Sequence, residues 1–503
     1  MSNENKIIVI GSGFSGLSAA TCLAQKGYKV CLLEKNKDIG GRARSFKEDG
    51  FTFDMGPSWY WMPDVFENYF EKFGKKVSDY YELKRLDPSY RVYFGENDKV
   101  DLPGSMSELI DLFESIESGS GIKLQKFLKE SEYKYEVGMK DLVFKPGLSL
   151  TEFLDKRVIS GALRLDLLKS MRKYIKSFFK NPKLQKLMEF PVLFLGGTPE
   201  NTPAMYSLMN YADMSLGTWY PMGGMHKIIE GMAILAKELG VEIITNEAVT
   251  KINVKQGKVI SASAENGEYP CEAIVASADY NHVEQQLLDP EYRRYDANYW
   301  DKRDMAPSSL LFYLGINKKI EGLKHHTLFF DEDFDAHAHD LYSDPKWPEK
   351  PLFYTCAPSV TDTTVAPVGQ ENLFLLMPTA PGLEDSPELR EKYFHIMMDR
   401  LEKFSGQNIK EHIIYKRSYA LSDFVNDYNA FKGNAYGLAN TLRQTAILKP
   451  SMKNKKLPNL YYTGQLTVPG PGVPPSLISG QIVADLVQKE IKLASKNKYE
   501  SII

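Results

Sequence analysis

Apolar and polar positions change period several times along the chain, and each change marks an element. Lys6 to Ile10 is a compact β-branched run, the pattern of a parallel strand buried on both faces. Gly11-Ser12-Gly13-Phe14-Ser15-Gly16 follows at once. Leu17 to Lys26 then sets Ala19, Ala20 and Leu23 on one side of a helix that Gly27 ends. Tyr28 to Leu33 predicts a second strand, closed by Glu34. Met225 to Leu239 has a helical period, Gly240 to Val249 predicts a strand and turn, and Lys251 to Val259 suggests a hairpin turning at Lys255-Gln256-Gly257-Lys258. Cys271 to Ala278 reads as another buried strand. Leu457 to Gly464 reads as a strand entering a Gly/Pro-rich loop, with a helix from Ser476 through Leu486.

A different pattern occupies Asp155 to Phe190, which holds ten Lys/Arg against three acids. Wound as a helix, Leu167, Leu168, Met171, Tyr174, Ile175, Phe178 and Phe179 share one broad face, and Lys169, Arg172, Lys173, Lys176 and Lys180 gather opposite. Arg164 and Leu165 break the pattern near its start. A basic amphipathic helix reads as a binder of membrane surfaces; the plain alternative is a solvated helix over a core.

Composition narrows the class. At 503 residues the chain exceeds what one hydrophobic core usually fills, so two or more domains are expected. Hydrophobic residues at 43% and charged residues at 25% exclude a disordered or collagen-like chain. Lys+Arg 62 against Asp+Glu 65 leaves a net charge of −3, so no global basic excess points to nucleic acid. Cys22, Cys31, Cys271 and Cys356 form no C-x-x-C pair, which fits a reducing compartment without structural zinc or disulfides. No apolar run approaches the ~18–20 residues needed to span a bilayer, and the first apolar stretch is too short for a signal peptide. The expected location is the cytoplasm, at the inner face of the cell membrane.

The chemistry begins in the glycines. Gly11 permits a tight turn, Gly13 lets backbone approach a pyrophosphate, and Gly16 lets the helix pack on the strand. The helix N-terminus offers free N–H groups to phosphates, and Glu34 stands where an acid accepts ribose hydroxyls, disfavouring a 2′-phosphate. Gly40-Gly41-Arg42-Ala43-Arg44 and Asp54-Met55-Gly56-Pro57 follow. This succession resembles the extended FAD signature of flavin amine oxidases and carotenoid desaturases. Asn459 to Gly480, with Pro469-Gly470-Pro471-Gly472-Val473-Pro474-Pro475, is similar to the C-terminal flavin segment of bacterial phytoene desaturases. Amine oxidases usually carry an acid where Gln465 stands. Asp427 to Thr445 resembles a late element of the same desaturases, with Asn440 near the place of their His, and Gly223-Gly224 is shared as well.

The resemblance spans essentially the whole chain and implies an α/β protein. A discontinuous Rossmann-type FAD domain (1–85, 216–299, 451–503) would join a mixed-sheet substrate domain (86–150, 300–450) and a helical membrane-associating region (151–215). It implies FAD contacts from Gly11, Ser12, Gly13, Phe14, Ser15, Gly16, Glu34, Lys35, Gly41, Arg42, Gly56, Pro57, Ser58, Val249, Gly464, Gln465, Gly472, Val473 and Pro474. Trp59, Trp61, Tyr436 and Gly437 would stand on the substrate side; large aromatics there suit a long apolar ligand, or else ordinary core. The implied activity is introduction of conjugated double bonds into phytoene on the way to lycopene, with the membrane lipid surface as partner and oxygen or a quinone as electron acceptor. A later-acting carotenoid 3,4-desaturase, a saturase or an isomerase is the runner-up. An amine oxidase, or a non-catalytic prenyl-binding protein like the Rab GDP-dissociation inhibitors, is further off. No general base stands out. His325-His326 and the acidic stretch Asp331 to Asp340 lack a metal-ligand spacing and read as a solvated loop, so no metal is expected.

Overall fold

The computed structural model describes residues 5–149, 152, 169–441 and 443–500. Five short strands form a parallel sheet in the order Leu460–Tyr462, Ala273–Ala276, Lys6–Ile10, Lys29–Leu33, Glu242–Ile244. Because side chains alternate across a strand, Ile7, Val9 and Leu32 face one layer while Ile8, Ile10, Cys31 and Leu33 face the other. The first layer is helical: Phe14–Gln25 packs against the C-terminal helix Val473–Glu500 and against His226–Glu238. The second layer is a three-stranded antiparallel sheet, Val249–Lys255, Lys258–Ala264 and Gly267–Pro270. The expected hairpin is therefore present and carries a third strand.

A seven-stranded mixed sheet builds the other half. Its order is Ile413–Tyr419, Ser308–Ile316, Glu371–Thr379, Phe353–Cys356, His326–Phe329, Tyr90–Gly95, Asp98–Leu102, antiparallel except between His326–Phe329 and Tyr90–Gly95. Leu310, Phe312, Leu314, Leu373 and Leu375 face outward under the helix Pro387–Ser405, where Tyr393, Phe394, Met397 and Leu401 cover them. Leu311, Leu328, Tyr354 and Leu376 point the other way, toward the parallel-sheet half.

The described part of the expected basic helix is the helix Met171–Phe178, and a second helix, Pro182–Glu189, follows it. Asn181 breaks the chain between them by capping Lys183 N with its side chain, and Pro182 starts the new helix without an N–H to lose. Met171, Tyr174, Ile175 and Phe179 are buried in the main core, so this apolar face is already covered by protein. Arg172 does not join the outward basic face: it pairs with Glu189, Glu200 and Asp335. Lys173, Lys176 and Lys180 remain exposed. Lys156, Arg157, Arg164, Leu165, Leu167 and Leu168 lie outside the described residues. Among the described residues no helix is long and apolar enough to cross a membrane.

Candidate active site

The N-terminus of the Phe14–Gln25 helix opens at the carboxyl end of the first strand, where open parallel sheets bind ligands. Gly11 adopts φ +97°, and a Cβ there would sit 3.4 Å from Ser277 and Ala278 backbone. A Cβ on Gly16 would lie 1.9 Å from the Gly11 carbonyl oxygen, so Gly16 serves the helix–strand contact and does not line the cavity. Gly13 is the opposite case: nothing lies within 4 Å of its Cβ direction.

Glu34 is buried at the end of the second strand and clamps this loop. One carboxylate oxygen accepts from Ser12 N at 2.9 Å and Ser12 Oγ at 2.5 Å, the other from Asn36 N at 2.9 Å. Ser12 Oγ in turn accepts from Gly40 N at 3.1 Å, which joins the first glycine loop to the second. Asp54 of the signature caps a helix: its carboxylate accepts from Met225 N and His226 N at 2.7 and 3.0 Å, and burial pushes it up to about 6.

Arg42 donates through Nη2 to Asn434 O at 3.1 Å, while its Nε has no partner among the described residues. Burial works against its charge and Asp279 favours it. Gln465 Nε2 donates to Asn434 Oδ1 at 3.2 Å, so Asn434 links the Gly-Gly-Arg loop to the C-terminal loop. The C-terminal helix starts at Val473, three residues before the expected Ser476. Pro474 and Pro475 lack an N–H, so the donors at this helix start are those of Gly472 and Val473.

These segments surround a cavity of about 460 Å³. It is lined by Gly11, Ser12, Gly13, Phe14, Ser15, Glu34, Lys35, Gly41, Arg42, Gly56, Pro57, Ser58, Val249, Gly464, Gln465, Gly472, Val473 and Pro474, as well as by Trp59, Trp61 and Tyr436. Lys35 sits at its edge with Nζ donating to Asn426 O. Gly437 is the exception. It lies behind the wall at φ +95°, where a Cβ would meet the Gln465 carbonyl oxygen at 2.9 Å. Its place is therefore under the Gln465 loop, because the left-handed turn directs it away from the cavity.

Beyond Ser58 the cavity continues between the inner face of the large sheet and the helix Phe334–Tyr342, along Leu311, Leu328, Phe334, Leu341, Tyr354 and Leu376. None of these was singled out by sequence. No strand was marked here by the sequence pattern, and nothing local says which face of the sheet meets the cavity. The stretch Asp331 to Asp340 is also no solvated loop: Asp333 caps the Phe334–Tyr342 helix by accepting from Asp335 N and Ala336 N. His325 and His326 are buried, and their nitrogens come within 4.8 Å of each other and of Cys356 Sγ. All four cysteines are free and buried.

A strand–glycine–helix phosphate site continuous with an apolar chamber defines the class as a flavin-dependent oxidoreductase. The sequence profile of flavin-containing amine oxidoreductases matches residues 14–488. A carotenoid 3,4-desaturase of Haloarcula japonica is 43% identical over 96% of this chain and 98% of its own. A 4,4'-diapophytoene desaturase (4,4'-diaponeurosporene-forming) of Staphylococcus haemolyticus is 32% identical over 97% and 99%. An oxidoreductase structure from Methanosarcina mazei shares the fold, with a TM-score of 0.63 at 16% identity over 95% of this chain and 100% of that one. The chain belongs to the flavin-containing amine oxidoreductase family, on its carotenoid desaturase branch. Its cofactor is FAD.

Proposed function

We propose that this enzyme desaturates a long carotenoid polyene inside the cavity. One observation carries the reading. The carboxyl, lysine and arginine side chains that line the cavity (Glu34, Lys35, Arg42, Glu247, Asp279, Asp427) all cluster around the glycine loops, whereas the chamber beyond Ser58 is mainly aromatic and aliphatic; its His337 has both ring nitrogens engaged by Leu352 N and the Pro378 carbonyl. An amine would need an anionic partner there; a hydrocarbon needs only shape and dryness.

The residues present fit FAD. The backbone at Gly13 is open to a phosphate, the first helix aims its free N–H groups at the same place, and Arg42 brings a buried guanidinium with an unpartnered Nε. When bound, FAD supplies the two-electron acceptor for hydrogen removal. The chain itself positions and excludes water. Glu34 and Ser12 hold the loop in shape, Gly472 and Val473 present N–H groups, and Trp59, Trp61 and Tyr436 wall the chamber.

Identity of 43% to a 3,4-desaturase against 32% to a diapophytoene desaturase supports a later-acting carotenoid desaturation first. Desaturation of phytoene toward lycopene is the second reading, favoured by the Asn459–Gly480 and Asp427–Thr445 elements. Anaerobic enzyme mixed with phytoene, a later carotenoid or a small amine in liposomes decides among them through flavin bleaching. Reduction by the amine alone would end the desaturase reading. Such substrates reside in bilayers, and the exposed Lys173, Lys176 and Lys180 supply cationic contacts worth about 1 kcal/mol each at an anionic surface. Replacing all three with Gln should weaken binding to anionic liposomes at moderate ionic strength and leave flavin content unchanged. Oxygen or a quinone then returns the enzyme to its oxidised form.

A further inference from the structure

Two polar side chains stand out in the apolar wall where it meets the nucleotide side. Tyr354 and Ser58 both line the cavity, and Ser58 directly follows Gly56 and Pro57. The Tyr354 hydroxyl donates to Ser58 Oγ at 3.0 Å, and Nδ1 of His326 lies 2.6 Å from the same hydroxyl oxygen. His326 is fully buried on the neighbouring strand, stacked on Trp59 with ring centroids 4.1 Å apart, and its Nε2 has no partner among the described residues. A wall that only had to fit a hydrocarbon would be better served by two apolar residues, because a buried imidazole with an unpartnered nitrogen disfavours folding.

Desaturation needs what this pair offers. Two hydrogens leave adjacent carbons: one departs with its bonding pair to the flavin, the other as a proton whose C–H pair becomes the new π bond. Among the described residues no carboxylate lines the apolar chamber to take that proton. We propose that Tyr354 is the proton acceptor of the reaction, backed by His326. With His326 in its Nε2–H tautomer, Nδ1 is an acceptor, and turning the hydroxyl from Ser58 toward it leaves an oxygen lone pair facing the substrate. The tyrosine oxygen gains the substrate proton as its own passes to His326, so the relay ends with neutral tyrosine and imidazolium and exchanges no electrons. Burial holds His326 well below the ordinary histidine range, so the imidazolium is short-lived. The His325 ring lies 4.5 Å away by centroids, with its Nδ1 2.7 Å from Oγ1 of the half-buried Thr361, and this gives the proton a direction of exit. In this scheme Tyr354 touches substrate and is the catalytic residue; His326 acts through it and is a positioning residue.

The inference rests on the desaturase reading, and its test separates the two. Wild-type holoenzyme, Tyr354→Phe and His326→Gln are compared anaerobically with a carotenoid in liposomes, unlabelled or deuterated at one of the two reacting carbons. Tyr354→Phe should keep its flavin and bind the product carotenoid within about twofold of wild type. Flavin bleaching should slow by about a hundredfold or more, the range for a lost general base. The isotope effect should grow at the proton-losing carbon alone, and the His326 side-chain ¹⁵N signals of the resting protein should shift. His326→Gln should reproduce the isotope pattern, and it carries the same test if Tyr354→Phe loses flavin. Bleaching at the wild-type rate in the variants, or a larger isotope effect at the hydride-losing carbon, would overturn the assignment while the desaturase reading stands. A wild-type enzyme that no carotenoid bleaches would remove both.

Discussion

Gly13 and Gly16 belong to one fingerprint, and the structure separates what each does. Gly13 has φ −67° and ψ 179°, a conformation open to any residue, and its Cβ direction meets no protein atom within 4 Å. Gly13→Val should therefore cost the fold less than about 1 kcal/mol, the scale of a weakened N-cap. Its side chain would nevertheless stand where the phosphates must lie. A Cβ on Gly16 falls 1.9 Å from the Gly11 carbonyl oxygen, and real Cβ atoms essentially never come under 3.0 Å, so the helix must retreat by at least 1 Å. It has nowhere to go: Gly480 on the C-terminal helix is already so close that its own Cβ would lie 2.4 Å from Ser15 O. Gly16→Ala should thus cost about 1–3 kcal/mol by overpacking. The assay pairs flavin absorbance per protein with melting of cofactor-stripped and reconstituted samples. Stripped Gly13→Val should melt with stripped wild type and gain nothing from FAD, whereas wild type gains about 2.7 kcal/mol at a hundredfold excess of ligand over Kd. Stripped Gly16→Ala should melt below both. Stoichiometric flavin in Gly13→Val, or stripped melting as low as that of Gly16→Ala, would refute this division of roles.

Three further outcomes follow from particular side chains. Lys449 is buried with no hydrogen-bond partner among the described residues, and burial lowers its amine to about 7. The unfolded chain keeps that proton up to about 10.5, so folding should become more favourable from pH 7 to 10.5, by about 1.4 kcal/mol per unit. Lys449→Met should melt higher than wild type at pH 7, with the gap closing by pH 10.5; parallel pH profiles would contradict the buried amine. Gly437→Ala forces a side chain into a positive-φ site against the Gln465 carbonyl, so flavin retention should fall; full flavin with altered products would return Gly437 to the chamber wall. Trp59→Ala removes the ring stacked on His326 and enlarges the chamber, so the product spectrum should shift more than flavin content does, as measured by product absorption.

The cofactor half of this protein is legible from sequence because its determinants are local. Gly11 to Gly16, Glu34 and the Gly41–Arg42 pair act through backbone conformation and short-range bonds, which chain spacing specifies. Even there, only the folded chain showed that Glu34 clamps Ser12 and that Gly437 supports Gln465, since both contacts join distant segments. The basic stretch read as a membrane-facing helix because a periodicity carries no record of what covers its apolar face; Arg172 turned inward because Glu189, Glu200 and Asp335 meet it. The chamber is the extreme case. Tyr354, His326 and Ser58 lie hundreds of positions apart or on different strands, and only the register of the seven-stranded sheet sets the hydroxyl, the imidazole and the cavity side by side. Sequence by itself determined the main elements around the nucleotide site and its glycine loop. The tertiary structure alone decided which strand face the substrate meets, because side-chain alternation labels two faces without saying which one the rest of the chain will cover.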